Sequence, residues 1–211
     1  MITNLLFQQP YLFILWILAI LYVLSVHECA HAWAALILGD DTAKQYGRLT
    51  LNPLAHLDFL GFLMLLLIGF GWGKPVPYNP YNLRNQRFGP ALVAIAGPLA
   101  NLISLIIFGL ILKFIVPFLP AENMLIQFLV LLLILNTTLM IFNLIPIPPL
   151  DGSKLLYALL PARLENVKVS LERYGIMILL ILIILDSFSG ISIFSRLFNL
   201  VINSVTRIFG L

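Results

Sequence analysis

Residues 25–35 read SVHECAHAWAA, which sets two histidines four residues apart with a glutamate directly after the first. On a helix, positions i and i+4 share a face. His27 and His31 can therefore offer two imidazole nitrogens to one ion, with Glu28 one residue round beside them. This is the HExxH arrangement, and its chemistry is specific. Two neutral histidines hold zinc, and the glutamate takes a proton from water activated by the ion so that hydroxide can attack a peptide carbonyl. The surrounding run is as apolar as a membrane span. A carboxylate at membrane depth costs about 2.5–3.5 kcal/mol even on lenient insertion scales, so an ionisable cluster there points to a functional site. Cys29, two residues on from His27, faces nearly the opposite side of the helix and reads as a small buried filler.

Two histidines do not complete a catalytic zinc site, which usually takes three protein ligands and leaves a position for water. His56, Asp58, Asp151 and Asp186 lie within or next to apolar segments. Asp186 ends a plain leucine and isoleucine helix and reads as an interfacial charge. Asp151 sits in NLIPIPPLDGSKLL, residues 143–156, where Pro146, Pro148 and Pro149 break an apolar span just before it. Broken backbone at membrane depth is tolerated only where it is buried in protein or lines a watery cavity. Asp151 is the expected third ligand. His56 fits a spare ligand, a water-positioning group or an interfacial histidine, and stays a candidate site residue.

The elements that must position these residues are membrane helices. The 211 residues are 61% hydrophobic and 10% charged, against about 25% charged in soluble domains. The net charge of +3 is spread over loops and argues for membrane orientation rather than nucleic-acid binding. One cysteine excludes an internal disulfide. No repeat or low-complexity linker divides the chain, so residues 1–211 are expected to form a single domain with its core at about 10–160. Residues 1–26 lack the basic start of a cleaved signal peptide. The expected fold is an all-α polytopic membrane protein with about four transmembrane helices: Pro10 to Leu38, Phe88 to Val116, Met124 to Ile145 and the shorter Tyr174 to Phe188. Residues 59–82 are expected to form a re-entrant segment and an extended loop. Phe59 to Gly71 is too short to cross, and GFGWGKPVPYNPYN after it is too rich in Gly and Pro to extend it. Ile193 to Phe209 reads as an amphipathic helix, with Arg196, Asn199, Asn203 and Arg207 opposite its apolar face, lying at the interface or packed on the bundle.

Topology follows from the site. If Phe59 to Gly71 crossed the membrane, His31 and Asp151 would finish on opposite sides and could not share an ion. If it dips and returns, both approach one side. Lys44, Arg48, Lys74, Arg84, Arg87, Lys154, Arg163, Lys168 and Arg173 then fall on that side, which the positive-inside rule makes cytoplasmic. A membrane protease must also unwind its substrate, whose amides are hydrogen-bonded within a helix. GKPVPYNPY, residues 73–81, reads either as a proline-rich surface turn or as an edge, centred on Val76, to which a substrate strand adds. Asn101 reads either as a helix-packing hydrogen-bonder or as a carbonyl-positioning group, and close packing of the second strong span against the first is the preferred reading for it and for Gly97.

HECAH at 27–31, GPLAN at 97–101 and NLIPIPPLDG at 143–152 each fall in their own apolar segment. With these motifs, in this order, the chain resembles the site-2 proteases, which are intramembrane zinc metalloproteases. GRLTLNPLAHLD, residues 47–58, looks like the version in small prokaryotic members, and the length leaves no room for a PDZ or CBS domain. The resemblance implies one zinc held by His27, His31 and Asp151, with Glu28 as general base. It also implies that Asn143 and the prolines after it, Pro146 and Pro148, help receive an unwound substrate. The expected function is hydrolysis of a peptide bond in or near a transmembrane helix of a membrane protein, close to the cytoplasmic side of a prokaryotic cell membrane. A membrane zinc carrier and an inactive scaffold of the same fold are the alternatives, and the oligomeric state is open. If the dip-and-return topology holds, membrane-impermeant probes on single cysteines at Asp41 and Asn82 should label from the same face. Labelling from opposite faces would remove Asp151 from the site.

Overall fold

The computed structural model describes residues 6–69, 71–188 and 193–209; of these, the side chains of Ile68, Ala162, Ser187, Phe188 and residues 193–195 lie outside the description. Among the described residues all regular structure is helical. Three helices are long and apolar enough to cross a membrane: α1 (Pro10–Ile37), α5 (Gly89–Ile115, running on to Phe118) and α6 (Met124–Asn143). The short α2 (Thr42–Gln45) and α3 (Pro53–His56), and the ten-residue α4 (Phe59–Ile68), lie between α1 and α5. After α6 come α7 (Gly152–Leu159), α8 (Glu165–Phe188) and α9 (Ile193–Phe209).

The helix ends follow local chemistry. Pro10 opens α1, where its missing N–H costs nothing, and the Asn123 side chain caps α6 by accepting the Leu125 amide. The three long helices pack through narrow stripes. Ala19, Val23, His27, His31 and Ala35 recur every four residues along the buried side of α1. Ala94, Gly97, Asn101, Leu105 and Leu112 line α5, and Leu129, Leu132, Leu133 and Asn136 line α6. Small residues at these positions let backbones approach closely, which replaces the hydrophobic drive that lipid removes. Large apolar side chains such as Ile14, Leu18, Ile103, Ile107 and Phe114 point outward instead. A water-facing surface would not tolerate so much exposed apolar area, whereas lipid favours it.

The sequence suggests four spans and the structure provides three of the required length. The difference lies in α8. Its first turns carry Glu165, Lys168, Glu172 and Arg173, and the apolar stretch after them, Tyr174 to Phe188, reaches only about 22 Å as a helix, short of a hydrocarbon core of about 30 Å. The amphipathic α9 packs on the bundle: the Phe209 ring lies where a side chain at Gly109 would be, joining Leu105 and Leu112 in the main core. Arg196, Asn199, Asn203 and Arg207 face outward. The expected contribution of Ile193 and Phe194 to its apolar face falls on side chains outside the description.

Residues 59–82 run out and back. Asp58 caps α4 through the Gly61 amide (2.8 Å), and Gly69, with φ +80°, ends it in the left-handed conformation that glycine adopts without strain. Gly71 and Trp72 then lie directly against Gly61, and the Lys74 amide donates to the His56 carbonyl at 2.8 Å. At 1.5 Å per residue α4 extends about 15 Å, half the hydrocarbon thickness.

The returning strap, residues 73–84, is pinned at several points. Buried Arg48 donates to the Ala55 carbonyl and, at 3.3 Å, to the Pro75 carbonyl. Fully buried Asp40, just past the end of α1, accepts from the Asn79 amide (2.7 Å), the Asn82 side chain (2.9 Å) and the Thr42 hydroxyl (2.6 Å). Burial works to raise the Asp40 carboxyl, but these hydrogen bonds and that of the Thr42 amide outweigh it and hold the group below the ordinary carboxylate range. A depressed folded-state value contributes stability that is fully present above the unfolded value of about 3.9 and lost as pH falls through the folded one. Asp40→Ala leaves several buried donors without an acceptor, so at pH 7 it should cost about 1–3 kcal/mol in detergent thermal unfolding. The gap to wild type should narrow below about pH 4. A gap that stayed constant down to pH 3 would show that the carboxylate charge is irrelevant to the anchor.

Candidate metal centre

Helical spacing alone places His27 and His31 on the same side of α1, and α5 fixes their rings. The His27 Nδ1 lies 2.5 Å from Asn101 Oδ1, and the His31 Nδ1 lies 2.8 Å from the Val93 carbonyl. Both partners are oxygens that accept, so each imidazole donates its Nδ1 proton and turns an unprotonated Nε2 inward. Gly97 makes this proximity possible. A Cβ there would collide with His31 Nε2 and come within 2.6 Å of His27 Cε1, because the backbone of α5 passes directly beneath the rings. Pro98, inside α5, withholds one helix hydrogen bond at the same level.

Asp151 arrives from the other side of the bundle. After α6 the prolines prevent helical continuation, and α7 starts at Gly152. A side chain at Gly152 would run into the Leu144 and Ile145 carbonyls, so the turn folds tightly against the end of α6. Asp151 occupies the N-cap position of α7, where an aspartate commonly accepts amides of the first turn. Here its carboxylate makes no such bond. Oδ2 instead lies 3.3 Å from His27 Nε2 and 3.3 Å from His31 Nε2, which are 3.0 Å from each other.

With both Nδ1 atoms turned to acceptors on α5, three buried atoms with lone pairs converge, and Asp151 Oδ2 has no hydrogen-bond partner. Such a set repels itself unless a cation joins it. Two imidazoles and one carboxylate are a donor set suited to zinc. Tetrahedral ligands at about 2.0–2.1 Å from an ion stand about 3.3 Å apart, which the observed spacings approach. Among the described residues this is the one group of three such side chains close enough to hold a metal.

The other candidates are distributed around it. Glu28, beside His27, accepts the Val76 amide at 3.2 Å, so the strap reaches the metal centre through Val76. His56 is fully buried and turned away: its Nε2 faces the Thr50 carbonyl at 2.8 Å, and its main-chain carbonyl receives Lys74. Asn143 donates to Leu139 within its own helix (3.1 Å). Pro146 is exposed, and Pro148 is buried against Gly175 of α8. Asn101, expected chiefly to pack α5 on α1, touches a histidine. Behind it lies Asn136, which the sequence reading passed over. Its signal was available: an amide inside LLLILNTTLMIF is an intramembrane polar group of the kind that singled out His27.

Known proteins similar in sequence carry zinc metalloprotease names. The profile of peptidase family M50 matches residues 118–185, which include Asn143 and Asp151. A Bacillus subtilis (strain 168) protein, "Putative zinc metalloprotease YwhC", is 38% identical over 182 residues, 83% of this chain and 81% of its own length. The chain belongs to peptidase family M50. "Putative zinc metalloprotease Rip2" of Mycolicibacterium smegmatis is 32% identical over 82% of this chain and 67% of its own length. The Mycobacterium tuberculosis (strain H37Rv) protein of the same name is 28% identical over 84% and 70%. These alignments cover most of the chain, whereas the profile match leaves out HECAH. No solved structure matches the chain.

The geometry distinguishes Asp151, the expected third ligand, from His56, the spare candidate. Asp151→Ala removes one of three converging donors and should deplete bound zinc by at least tenfold. His56→Ala, away from the donors, should retain it. Metal analysis of both purified variants checks the order; a depleted His56 variant beside a fully loaded Asp151 variant would reassign the ligand.

Proposed function

We propose that this membrane protein is a zinc endopeptidase that cleaves a peptide bond in or near a transmembrane helix of another membrane protein, close to the cytoplasmic face. It would release a regulatory fragment or clear a remnant peptide. The observation that carries this reading is the convergence of His27, His31 and Asp151 beside Glu28. Zinc held there supplies Lewis acidity, lowering the pKa of water to about 7 and polarising a peptide carbonyl.

The remaining work falls to side chains. The Glu28 carboxylate takes a proton from the attacking water and returns it to the departing amide nitrogen. Val76 would hold the substrate. Pro75 and Pro77 lack N–H groups, and the Pro75 carbonyl is taken by Arg48, which leaves Val76 as the strap residue whose amide faces the metal centre. A substrate segment unwound into a strand would pair at Val76 and displace the Glu28 contact, freeing the carboxylate for its proton. Asn143, whose second amide hydrogen is unused within α6, serves the substrate backbone, and exposed Pro146 lies beside its path. The out-and-back course of residues 59–82 supports a re-entrant arm, with α8 as a fourth, short membrane helix. The excess of Lys and Arg on the side where α1 and α6 end favours a cytoplasmic active site.

Glu28→Gln separates hydrolysis from metal carriage. Glutamine keeps the size but cannot accept the proton, so the variant should bind zinc fully while cleavage of a single-span substrate in detergent falls by about 10²- to 10⁴-fold. Cleavage at the wild-type rate with zinc in place would sink the mechanism, and zinc movement across vesicles that survives the change would favour a carrier.

A further inference from the structure

We propose that Asn136 of α6 is a positioning residue that, acting through Asn101 of α5, holds the His27 proton on Nδ1 and keeps Nε2 free for the ion. The inference rests on the reading of His27 as a metal ligand and adds what decides its tautomer.

That decision is contested within the site. His27 Nε2 lies 3.0 Å from His31 Nε2 and 3.3 Å from Asp151 Oδ2. A proton on His27 Nε2 would therefore find good acceptors and occupy the lone pair that binding requires. Asn101 alone cannot prevent this, because an amide turned by 180° would present its NH2 to Nδ1 and favour the wrong tautomer. Asn136 removes that freedom. Its Oδ1 accepts from Asn101 Nδ2 at 2.9 Å, and its own Nδ2 donates to the Leu132 carbonyl at 2.7 Å. A main-chain carbonyl only accepts, so the direction of every bond follows from it: Asn136 donates to Leu132, Asn101 to Asn136, and His27 to Asn101. Reversing any amide would set oxygen against oxygen or NH2 against NH2. Both asparagines are fully buried, so no solvent is at hand to repair a reversed link. Outer partners of this kind orient ligating histidines and typically change metal affinity 10- to 100-fold when removed. Here the chain of bonds runs one helix further, to a residue that touches no candidate ligand.

The chain has three histidines, so nitrogen NMR of histidine-labelled, metal-free protein in detergent, at a pH high enough that each imidazole is neutral, can assign each tautomer. Wild type should show His27 and His31 protonated at Nδ1 and His56 at Nε2, facing Thr50. Asn136→Leu, similar in size, should move His27 wholly or partly to Nε2–H and lower zinc affinity at least tenfold in chelator competition. His31, held by Val93, should not change. Asn136→Asp, protonated at this buried position so that its hydroxyl donates to the Leu132 carbonyl, keeps the acceptor for Asn101 and should preserve both the His27 tautomer and zinc affinity within a few-fold. A wild-type His27 protonated at Nε2 overturns the proposal without any variant. So does an Asn136→Leu protein with unchanged tautomer and affinity, or an aspartate variant that behaves like the leucine one. Wild type that takes up no zinc sinks the metal reading instead, and the tautomer comparison still decides the relay.

Discussion

Three lone-pair atoms from two distant parts of the chain must meet around one point, and that requirement organises the bundle. His27 and His31 sit in the second half of α1, and Asp151 follows the break after α6. They can meet only if α1 and α6 run in the same direction with their ends level. His27 meets Asn101 while His31, further along α1, meets Val93, earlier in α5, so these two helices run in opposite directions, and residues 119–123 turn α6 back alongside α5. Parallel neighbours require everything between them to come back to the starting side. After α5 is counted, the chain between α1 and α5 must end where it began, and α4 with its returning strap does this.

The strap is a consequence of that return and also part of the site. Lys74 is tied to His56, Pro75 to Arg48, and Asn79 and Asn82 to Asp40. These anchors lie between α1 and α4, so the segment that brings the chain back also lays Val76 against Glu28. Buried Arg48 and Asp40 satisfy main-chain groups rather than each other. A proline-rich extended segment has no ladder of its own, and its backbone polar groups need such partners wherever water is scarce.

How much of this was legible in the sequence depends on whether the signal is periodic or spatial. His27 and His31 follow from the four-residue repeat of a helix, and Asp151 from prolines that forbid one. The short apolar run before GFGWGKPVPYNPYN could not cross a membrane on length alone, and in the structure it turns back at Gly69. The apolar length of α8 was equally readable: Tyr174 to Phe188 was expected to be a short span, and it falls below the length of the other three. Asn101 and Asn136 were harder. Their meaning lies in which atoms face each other across three helices, and no spacing within one helix encodes that. His56 shows the converse: a histidine beside an apolar segment looks like a ligand in one dimension, while in three its ring serves the loop that carries it.

The amide chain also joins assembly to chemistry. Lipid is as apolar as leucine, so membrane helices associate through close packing and interhelical hydrogen bonds, each worth about 0.6–2 kcal/mol. Asn101 and Asn136 provide such a bond between α5 and α6, and His27 extends it to α1. The contacts that set the register of the three helices are therefore the ones that direct the His27 lone pair inward. A shift of α6 by one residue would disconnect Asn136 from Asn101 and carry Asp151 away from both histidines. Helix register and donor convergence are thus coupled, because the hydrogen bonds that join α1, α5 and α6 are made beside the point where the three metal-binding atoms meet.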